Sequence, residues 1–444
     1  MFFEYLANVH DILTKFSEMY KLLSKINAEK INYYALFLLA FSLNFPQEIV
    51  IYTVALWVLT CLPILRFKTP IRVQNVSNIP LFLLVFLFLG RILIAIYHSD
   101  LSVFVTKQLI DTQLPLLLLP FILIFQANKL IEPSKVLFMY ITGCFVSSIV
   151  GVVCFYLFRF GVLDPYTHLI FVPLRDVNSS MADDIILFQG YISPFYKHRA
   201  AMGANLVMAI ACLIYLVKSV GGVKGWRLVV VCFVAIFFAC VIYATGSRSG
   251  LLSLFSILII SLIYLLFNKR KKRLVIGFVL IGALLSGCMS LKTTRSLLAS
   301  EVSSLDYDRI KTADPRFQIW ESAIEIIKEN PVVGVGYSEA KSRLIERNKS
   351  RGLKEFAKAR FNSHNQFLQF SLESGIWAAV LYAIFLLPIY FGRENRYLSF
   401  SFSTLFFSYS MFEDSLLLIN GVSTLVFFIT MLYLLSNKRK KLTE

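Results

Sequence analysis

Apolar runs long enough to cross a bilayer recur along this chain from end to end, and a soluble fold has no interior large enough to bury them. A helix needs about 20 mostly apolar residues to traverse the hydrocarbon core. Runs of that order, some short, fall at 29–44, 49–65, 80–97, 113–128, 136–158, 197–217, 227–245, 248–267, 274–290, 376–391, 397–412 and 417–436, which predicts twelve membrane helices. A hydrophobic fraction of 57% and 41 phenylalanines in 444 residues agree, since a soluble chain of this size carries more charge and fewer aromatics. The expected fold class is an all-α polytopic membrane protein.

Charge then orients the spans. The net charge of +17 is spread in short Lys/Arg clusters between apolar runs, where basic residues mark cytoplasmic loops and do not form a nucleic-acid surface. Lys269 to Arg273 and Lys438 to Lys441 anchor the cytoplasmic side, and alternation brings Arg66, Lys68 and Arg72, Lys129 and Lys135, Lys218, Lys224 and Arg227, and Arg393 and Arg396 to it as well. The opposite loops at 46–48, 97–110 and 411–415 contain Lys107 as their one basic residue. Both termini are therefore expected in the cytoplasm, and two long loops, 160–196 and 292–374, face the periplasm. The expected organisation is an amphipathic cytoplasmic segment at 1–28, spans one to nine at 29–291, a helical periplasmic loop at 292–374 between the ninth and tenth spans, the last three spans at 375–436 and a cytoplasmic tail at 437–444. Seven cysteines, all in apolar runs without ligand spacing, read as small core residues.

The 292–374 island is where polar chemistry concentrates. Asp314-Pro315 predicts an N-cap and a first-turn proline for a helix with Phe317, Trp320, Ile324 and Ile327 on one face, ended by Asn330-Pro331. A Gly334-Val335-Gly336-Tyr337 turn and a basic helical stretch through Lys358 follow. His364, near the mouth of the tenth span, can titrate near neutrality and act as a general base on a hydroxyl, or serve as a satisfied residue at a helix start capped by Asn362 or Ser363. Arg248 opens the eighth span after Thr245-Gly246-Ser247, and Arg316 opens the loop helix. A cation at a helix N-terminus opposes the macrodipole, so each position suits a bound anion held by N–H groups and guanidinium together. The bland alternatives are a snorkelling Arg248 and an Arg316 paired with Asp314 or Glu321. Lys197, His198 and Arg199 open the sixth span on the same side, and Arg91 within the third span must face the protein interior or snorkel. Asp183-Asp184 and Asp306-Tyr307-Asp308 lack a histidine or a third carboxylate at ligand spacing, so neither a metal nor another cofactor is predicted, and no phosphate-cradling glycine loop is present.

With these residues in place, the chain resembles the O-antigen ligase and polymerase superfamily of bacterial envelope glycosyltransferases. The resemblance lies in Thr245-Gly-Ser-Arg-Ser-Gly-Leu-Leu252 with its Arg-x3-Leu element, Asp314-Pro-Arg-Phe-Gln-Ile-Trp320, Asn330-Pro-Val-Val-Gly-Val-Gly336, and His364-Asn365 followed after nine residues by Gly375. It covers roughly the last half of the chain. The ligase pattern ends in Gly, Thr or Tyr where this chain has Ala378, a departure that leans toward the polymerases. The resemblance implies a GT-C-like inner-membrane enzyme, metal-independent and inverting, that takes a glycan from undecaprenyl pyrophosphate. The acceptor would be lipid A-core in a ligase or a second lipid-linked glycan in a polymerase. It implies Arg248, Arg316 and Arg199 as pyrophosphate-binding residues, His364 as the base, and Asn365, His198 and Ser247 in support. A protein O-oligosaccharyltransferase and a polysaccharide flippase are the further alternatives, and the concentration of polar groups on one face argues against the flippase.

Overall fold

A computed structural model describes residues 28–65, 78–98, 112–125, 130–159, 199–219, 224–245, 247–266, 315–359, 362–391, 395–417 and 419–443. The regular structure of these residues is helical: α1 (Ala28–Ser42), α2 (Gln47–Cys61), α3 (Ile79–Tyr97), α4 (Pro115–Phe125), α5 (Pro133–Arg159), α6 (Arg199–Ser219), α7 (Trp226–Ala244), α8 (Arg248–Leu266), α9 (Pro315–Glu329), α10 (Tyr337–Ser350), α11 (Lys354–Ala359), α12 (Gln366–Ser374), α13 (Ile376–Phe385), α14 (Arg396–Phe412) and α15 (Ile419–Thr443). Eleven of the twelve apolar runs coincide with helices, and the run at 274–290 lies outside the described residues, as do the segment 1–27 and the loop 160–196. Among the described residues, six helices, at Gln47–Ile64, Ile79–Tyr97, Pro133–Cys154, Ala200–Ser219, Trp226–Ala244 and Ile419–Ser436, are long and apolar enough to cross a membrane.

The apolar helices share one core, with α6 and α15 at its centre: 89% of the span residues of each are buried. Helices in lipid gain little from apolar burial against one another, so small residues and interhelical hydrogen bonds take on the work of association. Both are present. Gly203 of α6 lies against Gly250 of α8, and Gly90 of α3 leaves room for Trp377 of α13. Ser253 and Ser408 join α8 to α14 at 2.7 Å, Ser261 and Tyr397 join the same pair lower down at 2.8 Å, and Tyr140 donates to the Asn205 carbonyl at 2.8 Å. Cys61, Cys144 and Cys212 are buried in this core, whereas Cys240 is exposed on the outer face of α7, where a small apolar side chain meets lipid as readily as protein.

Helices α9, α10 and α12 enclose a second, smaller core of Ile319, Ala323, Ile326, Ile327, Val335, Ala340, Leu344 and Leu372. This corrects part of the predicted apolar face of α9: Ile327 is buried as expected, but Phe317 and Ile324 are exposed, and Ile319, Ala323 and Ile326 point inward. On the outside, Arg347 pairs with Glu325 at 3.0 Å and Glu329 at 2.5 Å, and Arg351 pairs with Glu321. These partly exposed pairs add register more than stability.

The junction of this small core with the membrane helices depends on two glycines. Gly375, at φ +97, separates α12 from α13, and a Cβ there would fall on the Val332 carbonyl. Its neighbour Ile376 donates its N–H to the Pro331 carbonyl at 2.9 Å, and Val335 donates to the Leu372 carbonyl at 2.8 Å. Gly334, at φ +67, lies against the backbone of 372–374. An L-residue in this conformation costs about 1–3 kcal/mol before any collision is counted. Gly375→Ala is therefore expected to lower the thermal unfolding temperature of the purified protein markedly, while Gly352→Ala, at φ +77 but with no atom near its Cβ, lowers it much less; nanoscale fluorimetry in detergent measures both.

Candidate functional site

The site assembles where three chain segments meet: the start of α9, the 362–366 turn and the loop between α14 and α15. Asn365 begins α12 as its N-cap, its side-chain oxygen accepting from the backbone N–H groups of Phe367 at 2.9 Å and Leu368 at 3.1 Å. The cap is thus neither Asn362 nor Ser363, and His364 precedes it outside the helix. His364 adopts φ 48, the one non-glycine residue with positive φ among the described residues, in the left-handed region that L-residues enter rarely. Its flanks explain how it is held there. Ser363 is fully buried, its carbonyl accepts from the Trp320 indole N–H at 2.8 Å, and the Asn365 N–H donates to Asp414 Oδ1 at 3.0 Å.

Two acids follow α14 and organise the polar groups. Glu413, buried, places Oε1 3.3 Å from Nη2 of Arg316 and Oε2 3.6 Å from Nδ1 of His364. One carboxylate therefore spans the guanidinium and the imidazole. Asp414 sits beside it, its Oδ1 3.1 Å from the Ser363 hydroxyl. That hydroxyl also lies 3.1 Å from Gln369 Oε1 and 3.0 Å from the Asn365 carbonyl, and its single proton serves one of them at a time. Glu413 is the main reason that the His364 pKa is raised from its ordinary 6.5; Asp414 adds to the shift, while burial and Arg316 oppose it. The Asp414 carboxyl is raised as well, by the protein packed around it. Such a constellation can accept a proton on the imidazole nitrogen turned away from Glu413 and hold the resulting imidazolium against a carboxylate.

Arg248 and Arg199 contribute a second locus. The backbone places them at the first residues of α8 and α6, and their side chains lie outside the described residues, as does His198 entirely. Ser247 is buried and accepts from the Gly250 N–H at 3.0 Å, capping α8, and the contact of Gly203 with Gly250 draws the starts of α6 and α8 together. The α8–α14 register then levels this locus with the first. Ser253 meets Ser408, and Arg248 and Glu413 each lie five positions beyond that contact toward the same side, about 7.5 Å along either helix at the α-helical rise.

Of the predicted residues, the structure thus brings His364, Arg316 and Asn365 into one cluster and sets the helix starts of Arg248 and Arg199 at its level. Glu413 and Asp414 were missed. Their signal was available: they form an acidic pair in a short loop on the side of the chain to which Arg248, Arg316 and His364 were assigned. Arg316 pairs with Glu413; of the two partners weighed for it, Glu321 pairs with Arg351 and Asp314 lies outside the described residues. Among the described residues no group of three or more His, Cys, Asp or Glu side chains converges as a metal site.

Comparison with known proteins bears on the same region. An O-antigen ligase family model matches residues 233–383, from mid α7 to late α13. The chain is 30% identical over 167 residues to the ComP-specific O-oligosaccharyltransferase of Acinetobacter baylyi, covering 35% of this chain and 29% of that protein. It is 33% identical over 104 residues to the exopolysaccharide production protein ExoQ of Rhizobium meliloti, covering 21% of this chain and 22% of that one. The matches span less than a third of the length of either relative. They are consistent with the O-antigen ligase and polymerase superfamily.

Because Glu413 stabilises the charged imidazole, Glu413→Gln is expected to lower the titration midpoint of His364 toward that of an unperturbed histidine, read by NMR of ring-labelled protein with His364→Ala supplying the assignment. The sign carries over to stability. The His364–Glu413 contact stabilises the fold fully below the unfolded-state pKa near 6.5, and that contribution is lost as pH rises through the raised folded-state value.

Proposed function

We infer that this chain, whose residues 233–383 match the O-antigen ligase family, is a membrane glycosyltransferase. In this reading it moves a glycan from undecaprenyl pyrophosphate to an acceptor hydroxyl at the periplasmic face, with lipid A-core as the acceptor. The observation that carries the reading is the line from Arg316 through Glu413 to His364. It sets a proton acceptor beside a fixed cation, the two elements that glycosyl transfer from a pyrophosphate needs.

The acceptor hydroxyl has a pKa far above neutrality and attacks well only as its proton leaves. His364 takes that proton, and Glu413 orients the ring and stabilises the imidazolium formed. The acceptor oxygen bonds to the anomeric carbon as the bond from that carbon to the pyrophosphate oxygen breaks. Attack opposite the leaving group inverts the centre. The departing pyrophosphate carries away the bonding pair, and its charge is met by Arg316 at the start of α9 and by Arg248 and Arg199 at the starts of α8 and α6. Cations held before the reaction begins cost no reorganisation when charge develops. The same arrangement serves without a metal.

A second reading, a polymerase that transfers to another lipid-linked glycan, has a specific feature in its favour: Ala378, fully buried in α13, stands where the ligase pattern has Gly, Thr or Tyr. The similarity to the A. baylyi protein keeps a protein hydroxyl as a third acceptor class.

Lipopolysaccharide banding of cells lacking the gene, complemented with wild type or variants of confirmed membrane level, tests this. His364→Ala is expected to cut transfer by about 100-fold or more and Arg316→Ala by about 100-fold. Core lipid without attached polymer, with polymer accumulating on its lipid carrier, identifies a ligase, whereas core bearing a single repeat unit identifies a polymerase. A normal ladder from His364→Ala would remove the base assignment.

A further inference from the structure

Arg91 lies within α3, a helix long and apolar enough to span the bilayer, and its side chain is 1% exposed. Burying a guanidinium at that depth is costly unless it is paired. It is paired with the carboxylate of Glu373, itself buried at the end of α12, and also donates to Gln113 Oε1. The Phe370 ring sits 4.4 Å from its guanidinium carbon. The Nε of Arg91 is nonetheless buried without a hydrogen-bond partner. Buried ion pairs are often replaceable by apolar side chains with no loss of stability, so stability gives a poor account of this one. Where its partners lead gives a better one.

From Arg91 the polar contacts run along two branches. In one, Glu373 Oε1 accepts from Gln369 Nε2 at 2.6 Å, and Gln369 Oε1 lies 3.1 Å from the Ser363 hydroxyl, immediately before His364. In the other, Gln113 Nε2 donates to the Leu416 carbonyl at 3.3 Å, in the loop that holds Glu413. The Leu416 N–H donates in turn to Gln366 Oε1 at 2.7 Å, on the first residue of α12. His364 and Glu413 come from segments 49 positions apart in sequence, and both branches end within three residues of them. We propose that Arg91 is a positioning residue, which fastens the 363–366 turn and the 413–417 loop to one membrane helix and so sets the separation of His364 from Glu413. The inference deepens the glycosyl-transfer reading and rests on it for its catalytic consequence, but the geometry it asserts can be measured without any turnover.

The test reads the titration of His364 by histidine NMR in nanodiscs, in full-length wild type, Glu413→Gln, Arg91→Lys and Arg91→Met/Glu373→Gln. The double variant leaves no uncompensated buried charge. The ionisable groups around His364, namely Glu413, Asp414 and Arg316, are untouched in it, as are Asp414 and Tyr337, which face the Arg91–Glu373 pair. If Arg91 sets the contact, the His364 midpoint in the double variant falls by at least half of the shift that Glu413→Gln produces. Arg91→Lys, which keeps the charge but not the guanidinium's two-sided reach, falls between wild type and the double variant. A wild-type midpoint in the folded double variant, judged by its thermal unfolding, overturns the proposal. If the double variant does not reach the membrane, a wild-type midpoint in Arg91→Lys does the same. Turnover is measured alongside, with kcat expected to fall about 10-fold or more and KM for the lipid-linked donor to stay near wild type. Wild-type protein that titrates as described but transfers no glycan would sink the functional reading and leave the positioning role standing.

Discussion

A buried carboxylate is tolerable only where cations or N–H donors meet it, and Glu413 meets a guanidinium and an imidazole that the chain brings from different directions. Arg316 arrives on the first turn of α9, and His364 arrives in a turn held by Trp320, Asp414 and the cap of α12. Neither segment is adjacent to Glu413 in sequence, so the site exists only when α9, α12 and the α14–α15 loop are docked together. The left-handed backbone of His364 fits this picture. Strain of that kind persists where the surroundings over-determine it, and here both flanking residues are hydrogen-bonded to other segments.

The docking has two supports of different character. Below, membrane helices are registered by serine pairs and glycine contacts, which specify one axial position where apolar packing alone would allow several. Above, a core of eight buried apolar residues closes α9 onto α10 and α12, and Arg347 and Arg351 clamp its outer edge. Gly334 and Gly375 join the two supports, because only residues without a Cβ let the 331–335 turn lie against the break between α12 and α13. Arg91 belongs to the same junction and makes it polar at its centre.

Much of this was legible from residue order. The apolar runs marked the helices, Asp314-Pro315 and Asn330-Pro331 bracketed α9, and His364 and Arg316 stood out as candidate site residues beside their plain structural alternatives. Other features were not legible. The inward face of α9 was read only in part: Ile327 is buried as expected, but the covered side is centred on Ile319, Ala323 and Ile326, and Phe317 and Ile324 are exposed. The capping residue was misplaced by two or three positions, because Asn362, Ser363 and Asn365 are all competent caps and the sequence does not say which of them directly precedes the first turn of α12. Glu413 and Asp414 escaped notice because a short acidic loop between two apolar helices is ordinary until a guanidinium and an imidazole are set beside it.

The sequence by itself determined that this chain forms membrane-length helices and a polar, partly helical island ahead of His364, since hydropathy and capping are local properties that each segment carries with it. It also singled out the histidine and the arginines, because a titratable group at a helix start is conspicuous without knowledge of its neighbours. Only the tertiary structure decided which carboxylate holds His364 and Arg316 and that Arg91 answers to Glu373, 282 positions away. The physical reason is that an ion pair has no sequence period. Its partners are chosen by the packing of helices and the cost of leaving a buried charge alone, and both are settled only when the whole chain has folded.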